Sequence, residues 1–153
     1  MNKNITVIIT LYKTPLSKLN NLKNYREYKL LIFEQQGNLS SKKKISNILN
    51  FKFRYFSNVK NIGLSKSTNF LLKRVKTKYC LFTQADINIS SNSILKLLKM
   101  IKCKKETILI TPNFSKKKNN KSFKYVKNIN AACVLFDVEK IKKIGFFDED
   151  YFL

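Results

Sequence analysis

Histidine is absent from this 153-residue sequence, and acidic residues are scarce, with 9 Asp and Glu against 31 Lys and Arg. Without histidine, neither a Cys-His zinc site nor a His-activated nucleophile can form. The three cysteines, Cys80, Cys103 and Cys133, are odd in number and contain no CxxC pair. We therefore expect reduced thiols rather than structural zinc or a disulfide framework.

Several longer sequence signals are also missing. Neither Gly-x4-Gly-Lys-Ser/Thr nor Gly-x-Gly-x-x-Gly occurs, so the sequence predicts no P-loop and no Rossmann dinucleotide site. No apolar run reaches the roughly 18 residues that a membrane-spanning helix needs. The apolar segment Asn4–Tyr12 is short and is not followed by the small-residue cleavage site of a signal peptide. Among the kinds of chemistry considered, only that of the carboxylates remains.

The formal net charge of +22 raises the alternative of nucleic-acid binding. Only three of the cations are arginines, although specific phosphate and base recognition favours the guanidinium group. The lysines are spread along the chain with abundant Asn and Ile, as AT-rich codons would encode, so we expect no specific nucleic-acid partner. The Lys42–Lys44 and Lys116–Lys118 clusters are either solvated loops or contacts for anionic lipid head groups.

Apolar runs alternate with amphipathic segments, which predicts one α/β domain over residues 1–153 with a largely parallel sheet. A polar loop is expected over Phe114–Lys124. The predicted strands are Ile5–Leu11, Lys29–Phe33, Phe51–Phe56, Tyr79–Thr83, Thr107–Thr111 and Ala131–Phe136. The predicted helices are Leu16–Leu22, Lys44–Leu49, Ser65–Val75, Ile94–Ile101 and Val138–Ile144.

A scarce carboxylate, Asp86, follows the predicted strand Tyr79–Thr83. Ligands of open α/β sheets bind at the carboxyl ends of the strands. The simplest chemistry for Asp86 is a hard divalent cation shared with phosphate oxygens. Glu34 and Asp148–Asp150 are the other acids at the ends of predicted elements. The alternatives are an ordinary loop carboxylate for Asp86, a plain surface acid for Glu34 and, for Asp148, a residue that organises the loop after Gly145.

Five segments in this order resemble a family 2 glycosyltransferase of the rhamnosyltransferase-like branch: ITVIITLYKTP, KLLIFEQQGN, NIGLSKSTNFLL, YCLFTQADINIS and AACVLFDVEKIKKIGFFDEDYFL. The resemblance covers nearly the whole chain. It implies the GT-A fold and inverting transfer of a sugar from a UDP, dTDP or GDP donor to a cell-surface polysaccharide or lipid-linked glycan. We expect such an enzyme in the cytoplasm, peripheral at the inner face of the plasma membrane.

The resemblance also assigns roles to individual residues. It places Glu34 where an Asp reads the nucleotide base, and it places Gln84 and Asp86 at the first and last positions of an Asp-x-Asp motif. Gln84 would then contact the ribose, and Asp86 alone would anchor Mg²⁺ or Mn²⁺. The remaining nucleotide-binding residues implied by the resemblance are Thr10, Leu11, Tyr12, Asn61, Gly63 and Asn69.

On the acceptor side, Gly145–Glu149 matches a Gly-x-Phe-Asp-Glu signature. The resemblance implies that the catalytic base lies in a Glu-Asp motif beyond Leu153, so that Asp148, Glu149 and Asp150 are only weak candidates. We therefore expect an N-terminal, donor-binding portion whose acceptor part is incomplete. A non-catalytic nucleotide-binding remnant is the alternative.

Overall fold

The computed structural model describes residues 4–113 and 123–150. Its strands are β1 (Ile5–Tyr12), β2 (Lys29–Gln35), β3 (Arg54–Asn58), β4 (Tyr79–Thr83), β5 (Leu109–Ile110) and β6 (Cys133–Asp137). They form a six-stranded sheet in the order β3-β2-β1-β4-β6-β5. The first four strands in this order are parallel, whereas β6 runs antiparallel to both β4 and β5.

Helices cover both faces of the sheet. They are α1 (Leu16–Leu19), a following 3-10 helix (Asn20–Tyr25), α2 (Leu39–Leu49), α3 (Leu64–Leu72), α4 (Ser91–Cys103) and α5 (Val138–Ile144). Within the described ranges, no helix is long and apolar enough to cross a membrane.

The core is divided into two layers by the sheet, because successive strand residues point to opposite faces. One layer contains Val7 and Ile9 of β1 together with buried residues of α1, the 3-10 helix, α2 and α4. The other contains Ile8 of β1 together with Leu71 and Leu72 of α3 and residues of α5. A strand buried on both faces needs a continuous apolar run, and the sequence of β1 provides one.

The predicted α/β class with a mostly parallel sheet is confirmed, and β4 and α5 have the predicted bounds. The predicted helix Lys44–Leu49 was too short, since α2 begins at Leu39. The first turns of α2 are polar and rich in lysine, so they lack the apolar periodicity on which a sequence-based prediction depends.

The predicted strand Phe51–Phe56 was misplaced, because β3 begins only at Arg54. Phe51 and Phe53 precede the strand, and their rings pack against the core. In the sequence they alternate with other residues, which is the pattern expected of a strand. The helix predicted over Leu16–Leu22 splits into α1 and the 3-10 helix. The Lys116–Lys118 cluster and most of the predicted loop Phe114–Lys124 lie outside the described residues.

We predict that Asn38→Ala lowers the free energy of unfolding by about 1 kcal/mol, because Asn38 is the N-cap of α2. Its Oδ1 accepts a hydrogen bond from the Ser41 N–H at 2.9 Å. Urea denaturation measures the change. The control is Asn47→Ala in the same helix, where the side chain is exposed; equal destabilisation at both positions would contradict the assignment.

Candidate functional site

The carboxyl ends of β1, β2 and β4 meet at one edge of the sheet. The chain passes from β1 to β2 on one side, whereas β4 pairs with the other side of β1. A ligand crevice opens at such a switch point in open α/β sheets. The structure places most of the predicted site residues at this edge: Thr10, Leu11 and Tyr12 in β1, Glu34 in β2, Asn61 and Gly63 before α3, and Gln84 and Asp86 after β4.

Gln35 is the last residue of β2, and its side-chain amide ties that strand to the turn before α3. The side chain is buried, with 4% of its surface exposed. Its Nε2 donates to the Gly63 carbonyl oxygen at 2.8 Å and to Ser67 Oγ at 3.2 Å. Its Oε1 accepts from the Ile62 N–H at 3.0 Å. The position of this turn relative to the sheet therefore depends on Gln35.

The Asn61–Gly63 turn is also held from within. Asn61 Oδ1 accepts from the Gly63 N–H at 2.9 Å, which is the local side-chain contact typical of an Asx turn. Gly63 has a φ of +82°, a conformation that glycine adopts without steric cost. Ser67 Oγ lies 2.8 Å from the Gly63 carbonyl oxygen and 3.4 Å from Thr10 Oγ1. These contacts join the start of α3 to the end of β1.

The end of β1 offers one exposed aromatic ring and the backbone to a ligand. Tyr12 is 45% exposed, whereas Leu11 is buried in the core with 1% of its surface exposed. Only the backbone of Leu11 can therefore line a pocket. Thr10 is half-buried. Lys13 Nζ lies 5.3 Å from the centroid of the Tyr12 ring, so a positive charge accompanies the ring.

Glu34 faces the opposite side of the sheet from Gln35 and binds Tyr55. The Tyr55 hydroxyl donates to Glu34 Oε2 at 2.5 Å. Burial, and then the Glu34 carboxylate, raise the pKa of Tyr55, so this hydroxyl keeps its proton. Gly37 packs closely over the pair, and a Cβ at Gly37 would lie 2.7 Å from Glu34 Oε2. A base contact by Glu34 would share the carboxylate with Tyr55; that role stays a prediction.

Asp86 lies in a tight turn directly after β4. The turn is closed by the Ile87 N–H, which donates to the Gln84 carbonyl oxygen at 3.2 Å. It is anchored on both sides, because the Gln84 N–H donates to the Ala132 carbonyl oxygen at 3.2 Å and Asn21 Nδ2 donates to the Ala85 carbonyl oxygen at 3.0 Å. A fixed turn thus presents an exposed carboxylate at the crevice.

The Asp86 carboxylate suits a divalent cation that takes most of its ligands from phosphate and water. No hydrogen bond or ion pair within residues 4–113 and 123–150 engages this carboxylate. The same residues hold no cluster of three or more His, Cys, Asp or Glu side chains that could bind a metal. Mg²⁺ in phosphate-binding sites needs only one or two carboxylates. The donor set therefore fits a metal brought with a diphosphate.

Asn69 lies farther along α3, and its amide contacts the C-terminal segment. It bonds to the backbone of Phe147 and to the Glu149 carboxylate. Asp148 Oδ1 accepts from the Asp150 N–H at 3.0 Å, so this side chain organises its own loop. The predicted contact between Asn69 and the nucleotide stays a prediction, and it would compete with bonds that already use the amide.

Three residues that shape this edge were missed in the sequence: Gln35, Ser67 and Asn21. A signal for Gln35 existed, because it continues the alternation of Leu31 and Phe33 on one face of β2, where a polar residue must find partners. Nothing in the sequence points to Asn21, whose partner Ala85 is 64 positions away.

We predict that Gln35→Met lowers the free energy of unfolding by about 1–3 kcal/mol, because the Ile62 N–H loses its partner and the Gly63 carbonyl oxygen keeps only its bonds from Ser67. Methionine has a similar volume, so packing is preserved. Urea denaturation measures the change. The matched control is Gln36→Met, since Gln36 is the exposed neighbour. If both variants are equally stable, the account of the turn is wrong.

The sequence was compared with known families and proteins. Residues 10–152 match the family described as glycosyl transferase family 2. No curated protein sequence matches the chain at a significant level.

Solved structures share the fold. PcManGT, a mannosyltransferase from Pyrobaculum calidifontis in complex with GDP-Man and Mn²⁺, has a TM-score of 0.72 at 14% identity over 98% of this chain and 49% of its own. TarS 1–349 from S. aureus has a TM-score of 0.69 at 14% identity over 98% of this chain and 52% of its own. The 4-diphosphocytidyl-2C-methyl-D-erythritol synthase from Anaerococcus prevotii has a TM-score of 0.60 at 16% identity, with coverages of 97% and 81%.

The implied GT-A fold is thereby confirmed, and the chain spans about half the length of PcManGT and of TarS 1–349. Fold likeness at such low identity does not choose a reaction, because the erythritol synthase shares the fold as well. The family match over residues 10–152 does distinguish the two, because it is to the glycosyltransferase family. This chain belongs to glycosyl transferase family 2.

Proposed function

We propose that this chain is the donor-binding part of an inverting glycosyltransferase. It would transfer a sugar from a nucleoside diphosphate to a cell-surface polysaccharide or a lipid-linked glycan. The observation that carries the proposal is the location of two turns at the carboxyl edge of the sheet of a family 2 domain: Asn61–Gly63, tied to the end of β2, and the Asp86 turn after β4. Structural neighbours were solved with GDP-Man and Mn²⁺, with UDP and with UDP-GlcNAc.

The nucleoside would lie across the ends of β1 and β2. The exposed ring of Tyr12 can stack on a base, and Lys13 adds positive charge beside it. The Asn61–Gly63 turn, held rigidly by Gln35, would form the opposite wall. A rigid wall lowers the ordering cost of binding.

The diphosphate would lie toward Asp86. Mg²⁺ or Mn²⁺ bound there would neutralise the charge that develops on the departing nucleoside diphosphate. Asp86 would supply one carboxylate to the cation, and the turn anchored by Gln84 and Asn21 would hold that carboxylate in place.

Inversion also needs a carboxylate that deprotonates the acceptor hydroxyl. Asp148 and Glu149 are poor choices for this role, because Asp148 caps the Asp150 N–H and Glu149 binds Asn69. We assign the base to none of the residues in this chain.

Nucleic-acid binding is disfavoured by the use of the arginines. The guanidinium carbon of Arg74 lies 3.4 Å from the centroid of the Phe70 ring, and its Nη1 donates to the Phe70 carbonyl oxygen. The guanidinium carbon of Arg54 lies 5.3 Å from the centroid of the Phe56 ring. The guanidinium of the half-buried Arg74 is thus engaged within the protein, whereas Arg54 is exposed and lies over the Phe56 ring.

We predict that Mn²⁺ strengthens the binding of UDP, dTDP or GDP and that Asp86→Asn removes this gain. The expected loss is at least about tenfold in affinity, which equals about 1.4 kcal/mol. Isothermal titration with and without Mn²⁺ measures it. The control is Glu106→Gln, which changes an exposed carboxylate before β5.

An unchanged Mn²⁺ effect in Asp86→Asn would refute the metal assignment. Release of nucleoside diphosphate from a nucleoside-diphosphate sugar, with water as acceptor, would show that this chain is catalytic and would exclude a non-catalytic nucleotide-binding remnant.

We further propose peripheral contact with anionic lipid at the inner face of the plasma membrane. Exposed lysines of α2 and α4 lie in the same helical layer and support this idea: Lys42, Lys43, Lys44, Lys96, Lys99 and Lys102. A lysine near an anionic surface contributes about 1 kcal/mol.

We predict that the chain binds vesicles of phosphatidylserine and phosphatidylcholine but not vesicles of phosphatidylcholine alone. Changing Lys42–Lys44 to Glu should weaken binding at least about tenfold. The control changes Lys76, Lys142 and Lys143 to Glu, which alters the net charge equally at exposed positions outside α2 and α4. Equal weakening in cosedimentation would show that total charge, not this surface, determines binding.

A further inference from the structure

The segment Gly145–Asp150 has little apolar anchorage. Phe147 remains 37% exposed, and its ring centroid lies 6.0 Å from that of Phe136 in β6. Phe146 is only partly buried against the core. The other residues of the segment are exposed. Hydrophobic packing alone therefore does not fix its position, and polar contacts must contribute.

A single side chain, that of Asn69, makes most of these contacts. Asn69 lies in α3 and is 2% exposed. Its Nδ2 donates to the Phe147 carbonyl oxygen at 2.8 Å and to Glu149 Oε1 at 2.9 Å. Its Oδ1 accepts from the Phe147 N–H at 3.1 Å. One amide thus pairs with both backbone groups of Phe147.

These three bonds demand an amide of this length. Alanine would remove all of them, and aspartate would keep the acceptor but lose both donors and oppose the Glu149 carboxylate. The ion pair from Lys73 to Glu149, at 3.9 Å and exposed on both sides, adds little. Asn69 therefore makes the main polar contacts that hold the segment in place.

Contacts with two elements locate the segment. Asn69 fixes it to α3, and the Phe147 ring contacts Phe136 of β6. Phe136 pairs with Cys80 near the start of β4, away from the carboxyl ends of the parallel strands. The segment thus bridges α3 and β6.

We propose that Asn69 is a positioning residue that fixes Phe147–Glu149 against α3, and that it is not a nucleotide ligand. The amide of Asn69 is already used by this segment, so the donor nucleotide is bound by other residues. The position of the segment follows from the contacts, whereas the statement about the donor rests on the proposed function.

The test measures amide hydrogen exchange by NMR in the full chain. We expect Asn69→Ala to speed exchange of the Phe147 N–H at least tenfold relative to that of Ile62, whose partner is Gln35. A global loss of stability would speed the exchange of both amides alike.

Glu149→Ala, at an exposed residue, should also speed exchange at Phe147, and it keeps the test valid if Asn69→Ala does not fold. The control is Asn92→Ala, which removes an exposed side chain in α4.

A rescue experiment adds a second readout. Asn69→Asp alone should speed exchange at Phe147, and adding Glu149→Gln should restore part of the protection, because the new amide can donate to the new carboxylate. Unchanged protection of Phe147 in both Asn69→Ala and Glu149→Ala would overturn the proposal.

Nucleotide titration of the same variants separates this inference from the proposed function. Asn69→Ala should bind UDP, dTDP or GDP within twofold of the unaltered chain. A loss above fivefold, with Asn92→Ala unaffected, would make Asn69 a nucleotide ligand and overturn the proposal. If the unaltered chain binds no nucleotide, the proposed function fails, but the exchange result still decides the role of Asn69.

Discussion

The buried amide of Gln35 is the contact on which the crevice depends. It satisfies one N–H and one carbonyl group of the turn before α3 and also reaches Ser67, so it sets the height of α3 over the sheet. The start of α3 is in turn joined to β1 by Ser67 and Thr10. Because a buried polar group left unpaired costs about 1–3 kcal/mol, the buried Gln35 amide favours this position of the turn.

Once α3 is fixed, it supports two parts of the structure, the proposed nucleotide site and the segment Gly145–Asp150. Its first turn carries the wall proposed for the nucleotide, and Asn69, farther along, carries the C-terminal segment. Three of the candidate acids already accept hydrogen bonds within the protein. Glu34 is bound by Tyr55, Glu149 is bound by Asn69 and Asp148 caps its own loop. Asp86 differs from these acids because no hydrogen bond or ion pair of the described residues engages its carboxylate, and a cation shared with a diphosphate fits such a group.

Local signals account for what the sequence predicted correctly. The apolar run of β1 predicted a strand buried on both faces, and the bounds of β4 and α5 followed from apolar patterning and Gly145. The start of α2 was missed because its cap, Asn38, precedes lysine-rich turns without periodicity. The contacts of Gln35 and Asn69 were missed because their partners lie 27 or more positions away. Sequence spacing carries no information on such pairings until the sheet order is known.

Paramagnetic broadening by Mn²⁺ tests the central claim most directly. In an NMR titration with Mn²⁺ and a nucleoside diphosphate together, the account predicts loss of the amide signals of Ala85–Ile87, with weaker broadening at Asn61–Gly63. The Val138 amide, which donates to the Lys78 carbonyl oxygen at the opposite end of β4, should broaden least. Broadening centred on any other part of the chain, or none in the presence of bound nucleotide, would contradict a metal-assisted nucleotide site at Asp86.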